Sequence, residues 1–131
     1  MKQPRKPTTS ELEILHVLWS KGPSTVREVL DSLNEKKDMG YTGVLKLLQI
    51  MTAKGMVRRD ESQRAHVYEA CRPAEQTKRQ LARDMLQRVF EGSASQLMMH
   101  ALSGRRTSAK EIEELRRILD AYQGDDDGKA G

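Results

Sequence analysis

Residues 41–70 read YTGVLKLLQIMTAKGMVRRDESQRAHVYEA, and the two halves of this stretch carry different periodicities. Up to Lys54, apolar side chains recur every three or four residues. With Thr42 set at 0° and about 100° per residue, Val44, Leu47, Leu48 and Met51 gather around 180°, the buried stripe of an amphipathic helix. Gly55 stops that helix. From Val57 the pattern alternates: Val57 and Arg59 against Arg58 and Asp60, then, past a polar turn at 62–64, Val67 against Tyr68. Two short strands around a polar turn predict a hairpin directly after a helix over 42–54.

Upstream, Ser10 and Glu13 have the spacing of a capping box, followed by a helix over 11–20 that buries Leu12, Leu15 and Trp19, with Ile14 and Leu18 beside them. Gly22 and Pro23 end it. Thr25 and Glu28 form a second capping box for a helix over 26–35, with Val26, Val29, Leu30 and Leu33 on one face. Residues 36–40 read as a loop. The order helix, helix, helix, hairpin describes a winged helix-turn-helix. Residues 1–8 read as a flexible basic arm and 9–72 as the winged-helix domain.

After Pro73 the texture changes. A long helix over 74–90 ends at Gly92. A shorter one, capped by Ser93, carries Leu97, Met98, Ala101 and Leu102 and ends at Gly104. A last helix over 109–122 is opened by a third capping box, Ser108 and Glu111. The expected fold is mainly α with a small β-hairpin: a winged helix-turn-helix domain and a helical dimerisation domain over 73–123. An acidic tail over 124–131 is expected to be disordered.

Charge follows the same division. The 131 residues carry a net +4. Residues 1–72 hold 13 Lys and Arg against 9 Asp and Glu, and residues 73–131 hold 10 of each, so the whole excess lies in the winged-helix part. No apolar stretch approaches the ~18 residues of a membrane span, and no secretory signal is expected behind the basic N-terminus. The lone Cys71 fits a reducing cytoplasm. Five aromatic residues (Trp19, Tyr41, Tyr68, Phe90 and Tyr122) are too few for a platform that stacks successive bases.

Opposite the core stripe of helix 42–54 lie Thr42, Lys46, Gln49 and Ala53, flanked by Gly43, Leu45 and Ile50. A hydroxyl, an ammonium and an amide supply donors and acceptors for base edges, and the small residues permit close approach. This is the second helix of a helix-turn-helix, the one that enters the major groove of double-stranded DNA. Tyr41 stands at its start. Lys36, Lys37, Lys54, Arg58, Arg59 and Arg64 surround it as candidate phosphate contacts, and the helix opening at Thr25 offers backbone N–H groups.

The C-terminal helices need an apolar partner. Leu81, Met85, Leu86, Val89 and Phe90, then Leu97, Met98 and Leu102, then Ile112, Leu115 and Leu119 form stripes that a homodimer would cover, with Ile118 extending the last and Tyr122 at its end. A winged-helix module that binds protein rather than DNA is the alternative reading.

No metal or cofactor is expected. His16, His66 and His100 lack ligand spacing among themselves or with Cys71. Cys71 and His66 fall on opposite faces of an extended strand, so a nucleophile pair is not expected, and nothing points to an enzyme.

The stretches SELEILHVLWSKGPSTVREVL (10–30), residues 41–70 as quoted, FEGSASQLMMHAL (90–102) and KEIEELRRILD (110–120) together resemble the penicillinase-repressor family, the BlaI/MecI/CopY group. The resemblance covers about residues 8–120. It implies a homodimeric transcriptional repressor that binds a palindromic operator. In the penicillinase branch it implies release by cleavage in the dimerisation domain, triggered by a membrane sensor with a metalloprotease domain. The matching stretch is 97–102, with the scissile position near His100 and Ala101, where staphylococcal members have Asn-Phe. The tail lacks the Cys-x-Cys of the copper-responsive branch. Common members often have Thr at 43 and basic residues at 49 and 50. Gly43, Gln49 and Ile50 here imply a different operator.

Overall fold

Three hydroxyl residues, Thr8, Thr9 and Ser10, precede the first apolar turn, and the computed structural model shows that Thr8 caps it. The structure describes residues 6–34 and 39–126, the side chains of 123–126 excepted. Thr8 Oγ1 accepts the Glu11 N–H at 3.2 Å, and Glu11 Oε1 accepts the Thr8 N–H at 2.9 Å. The capping box is therefore Thr8 with Glu11, not Ser10 with Glu13, and the first helix, α1, spans Thr9–Lys21. Its deepest face is Glu11, Ile14, Leu15 and Leu18, while Leu12 and Trp19 are only half-buried. The burial stripe is thus turned from the Leu12–Leu15–Trp19 line expected from the sequence. Gly22, at φ 86°, ends the helix.

Thr25 and Glu28 form the expected reciprocal cap of α2 (Val26–Leu33). The third helix, α3, spans Tyr41–Ala53. Strands β2 (Val57–Asp60) and β3 (Val67–Ala70) make the expected hairpin, with Arg58 opposite Glu69 and Arg59 opposite Tyr68. One strand was not expected: β1 (Ser24–Thr25) pairs antiparallel with β3, giving a three-stranded sheet of order β1-β3-β2. Tyr68, in the central strand and 1% exposed, faces Ser24 on one side and Arg59 on the other. The core joins Ile14, Leu15 and Leu18 of α1, the α2 stripe Val26, Val29, Leu30 and Leu33, and Val44, Leu48 and Met51 of α3 to Met56, Val57 and Tyr68. This is the winged helix-turn-helix arrangement.

The chain forms two compact units, the first ending at Asp84 and the second starting at Met85. Helix α4 (Ala74–Arg88) runs across that point. In the first unit the Trp19 indole N–H donates to the Arg72 carbonyl at 3.0 Å, tying α1 to the segment that follows β3. Lys6, from the segment read as a free arm, has its ammonium 2.6 Å from Asp84.

The second unit holds α5 (Ala94–Leu102) and α6 (Ala109–Asp126). Ser93 Oγ accepts the Gln96 N–H and Ser108 Oγ accepts the Glu111 N–H, so both expected capping residues act as caps. Helix α6 continues through Gly124 to Asp126, residues the sequence reading gave to the tail; 127–131 lie outside the described residues. No side chain described between 85 and 122 is fully buried. Among the described residues no helix is long and apolar enough to cross a membrane.

Candidate nucleic-acid interface

Helix α3 buries Val44, Leu48 and Met51 and turns Thr42, Gly43, Lys46, Gln49, Ile50 and Ala53 outward, all exposed. Leu47, expected in the core stripe, and Leu45, expected at the edge of the outer face, are both half-buried against the core. The outward surface therefore carries hydroxyl, ammonium and amide groups between small and aliphatic ones, as the periodicity predicted.

Gly43 has no packing reason to be glycine. A Cβ built there meets nothing within 4 Å, and its φ is not in the left-handed region. Glycine inside a helix costs about 0.8–1.0 kcal/mol relative to alanine. The helix bears that cost at an exposed position.

The cations around α3 separate into two groups. Lys54, the last residue of the turn closing α3, places its ammonium 2.8 Å from Glu11 Oε2. Glu11 is 2% exposed, and its other oxygen caps α1. Burial pushes this carboxyl's pKa up, but the Lys54 hydrogen bond, the Thr8 N–H and the Lys54 charge outweigh it, and the net shift is downward. Lys54 thus holds α1 to the end of α3. Arg58 donates to its cross-strand neighbour Glu69 at 2.9 Å, a hydrogen bond that raises the guanidinium's pKa further. Arg59 pairs with Glu61 and is raised by hydrogen bonds to Tyr68 and Glu61.

In contrast, Lys46 on the outward face and Arg64 at the wing tip are exposed and have no carboxylate partner among the described residues. The wing turn itself is fixed by Asp60 Oδ1, which accepts the Ser62 N–H at 2.9 Å; that hydrogen bond pushes the Asp60 carboxyl's pKa down. Lys36 and Lys37 lie outside the described residues. Thr25 is half-buried and its hydroxyl is taken by the Glu28 N–H.

One group was missed from the sequence. Arg27, exposed in the first turn of α2, sets its guanidinium 5.5 Å from the centroid of the Tyr41 ring. No local pattern marks it, because the contact joins two helices across a loop.

In the second unit the expected interface residues divide by exposure. Met85, Val89, Met98 and Leu119 are exposed, with Met99, Ile118 and Tyr122; Leu86, Phe90, Leu97, Leu102, Ile112 and Leu115 are half-buried. Leu81 is half-buried on the part of α4 in the first unit. The Phe90 ring packs 5.6 Å from that of His100. His100 and Ala101 are both exposed on α5. His16 packs edge-on to Trp19, His66 is exposed and Cys71 is half-buried.

A family model described as Penicillinase repressor matches residues 7–121. A protein named transcriptional regulator BlaI, of Mycobacterium tuberculosis (strain CDC 1551 / Oshkosh), is 32% identical over 111 residues, covering 83% of this chain and 79% of that protein. The methicillin resistance regulatory protein MecI of Staphylococcus aureus (strain N315) is 21% identical over 112 residues, 86% of this chain and 91% of that one. A solution structure of the Bacillus licheniformis BlaI monomeric form in complex with the blaP half-operator is similar with a TM-score of 0.49 at 21% identity, over 57% of this chain and 92% of that chain.

Proposed function

We propose, from the premise that this chain belongs to the penicillinase-repressor family, that it is a homodimeric transcriptional repressor acting in the cytoplasm on a palindromic operator in double-stranded DNA. The observation that carries this reading is the outward face of α3, with Thr42, Lys46 and Gln49 exposed between small residues on the second helix of a helix-turn-helix. Lys46 and Gln49 read base edges in the major groove, and Arg64 at the wing tip grips phosphate beside it. A dimer presents two such helices about one DNA turn, ~34–36 Å, apart. The exposed apolar side chains of the second unit support that dimer, since Val89 is 64% and Leu119 60% exposed and each needs a cover. Release is by proteolysis near His100 and Ala101 in a pathway that starts at a membrane sensor; the exposure of both residues supports access there.

The test is selection of duplexes from a random pool by the full chain, followed by an anisotropy titration at several salt concentrations. A preferred two-half-site duplex and an affinity that falls steeply with salt are expected. Lys46→Ala relaxes the sequence preference, and Arg64→Ala weakens binding to all sequences alike. Retention of no preferred duplex, with weak salt dependence, would leave a protein-binding module in place of a repressor.

A further inference from the structure

We propose that Arg27, held over the ring of Tyr41, is a further DNA-phosphate contact on the flank of the recognition helix, with Tyr41 as its positioning residue. The proposal rests on the reading that α3 lies in the major groove. It does not follow from that reading, since Arg27 belongs to α2 and lies outside both the outward face of α3 and the wing.

Arg27 contributes little to its own helix. It sits in the first turn of α2, where the helix dipole disfavours a cation. It takes no part in the cap, which Thr25 and Glu28 complete between themselves. It has no carboxylate partner among the described residues. Neither its helix nor the core gains from a positive charge there.

What it does have is the Tyr41 ring, 5.5 Å from its guanidinium carbon. At an exposed site such a contact adds little to stability. Its value lies in geometry. A ring face, unlike a carboxylate, takes no N–H donor in an ion pair, so the guanidinium's charge and fork are not engaged by an acid. Arg58 and Arg59 are ordered by carboxylates, which take Arg58 Nε and one Arg59 Nη and partly neutralise the charge. Arg27 is ordered by a ring and keeps its charge and fork for an anion, and a planar fork of N–H groups matches two phosphate oxygens.

Position identifies which anion. Tyr41 is the first residue of α3, about 100° around the helix from Thr42 and so on the flank of the reading face. A helix seated in the major groove has a sugar–phosphate strand along each flank. Along α3 itself only Lys46 is basic, and Lys54, just past its end, is held by Glu11. Among the described residues, Arg27 supplies a further cation on the flank of α3.

The experiment uses the full chain and the duplex that the parent protein selects from a random pool, titrated between about 50 and about 200 mM salt. Arg27→Gln should reduce the slope of log K against log salt by about 0.9 per head and weaken binding about fivefold per head at physiological salt. Its preference for the selected duplex over a scrambled one should stay at the parent's value. Tyr41→Phe should bind as the parent does, because it keeps the ring. Tyr41→Leu should lose affinity, and adding it to Arg27→Gln should cost little more, since both remove one contact. Thermal unfolding of each variant separates these effects from misfolding. Parent slope and affinity in a folded Arg27→Gln protein would overturn the proposal while leaving groove reading by α3 intact. A Tyr41→Leu loss that adds fully to that of Arg27→Gln would overturn the positioning role. Failure of the parent to select any duplex would instead overturn the reading on which the proposal rests.

Discussion

Replacing Lys54 with methionine isolates the contact that joins α1 to the end of α3. The Glu11 carboxylate is 2% exposed and the Lys54 side chain 22% exposed. Removing one partner of a buried pair costs about 3–5 kcal/mol, because the other charge is left unpaired. The partial exposure of Lys54 admits some water, so Lys54→Met should cost about 2–3 kcal/mol near neutral pH. The pH dependence has a definite sign. In the parent, Glu11 has a folded pKa below its ordinary value of 4.5. Its charged form therefore contributes stability that is present above that value and is lost as the pH falls through the folded pKa. In Lys54→Met the lowering from Lys54 disappears and burial dominates, so the carboxyl moves up and protonates more readily. The stability gap between parent and variant should narrow as the pH falls towards about 4. Urea unfolding followed by circular dichroism, at fixed protomer concentration, measures both points. A gap under about 0.5 kcal/mol near neutral pH, or one that does not narrow in acid, would refute the pairing. The same variant tests whether Lys54 touches phosphate. A structural lysine leaves the salt slope of DNA binding unchanged, whereas loss of a phosphate contact lowers it by about 0.9 per head.

Two further perturbations separate stability from function and test assembly. Gly43→Ala should raise stability by about 0.5–1 kcal/mol, because nothing occupies the space of the new methyl group, yet weaken binding to the selected duplex. A thermal melt and a titration together decide this, and tighter binding by the stabilised variant would show that α3 does not need close approach there. Leu119→Asp puts a charge on a side chain that is 60% exposed in the single chain, so the fold should survive while the proposed homodimer dissociates. Sedimentation that finds the parent's dimer unchanged would remove Leu119 from the interface.

The readings that succeeded from sequence are those in which one helix or one hairpin decides the outcome. The inward line of α3 through Val44, Leu48 and Met51 is fixed by helical period alone, and so is the outward set with Lys46 and Gln49. The cap at Thr25 has no competing hydroxyl before the helix it opens except Ser24, which is buried and donates to the Gly22 carbonyl. At the start of the first helix two pairs, Thr8 with Glu11 and Ser10 with Glu13, share the same spacing, so the local pattern does not choose the cap. What chooses between them is Lys54, 43 residues away, which draws Glu11 inward. Strand β1 is two residues long and exists only because Val67 and Tyr68 pair with it. Arg27 and Tyr41 are likewise brought together by tertiary structure. The stripes of the second unit were legible as stripes, but their burial was not: within one chain no described side chain from 85 to 122 is fully covered.

The distribution of partners changes what the N-terminal charge excess means. On α2, α3 and the wing, the described cations are Arg27, Lys46, Lys54, Arg58, Arg59 and Arg64. Three of them, Lys54, Arg58 and Arg59, are held by Glu11, Glu69 and Glu61. These stiffen the frame: one locks the end of α3, and two brace the strands that carry the wing tip. The other three, Arg27, Lys46 and Arg64, stand on α2, α3 and the wing tip with no acidic partner among the described residues. If DNA neutralisation were read from the raw count, six contacts per head would give a salt slope near −5.4. Counting only the free cations gives about −2.7 per head, with Lys36 and Lys37 able to add to it. The measured slope therefore discriminates between a surface that binds through all its basic residues and one in which half of them hold the reading helix and wing in place.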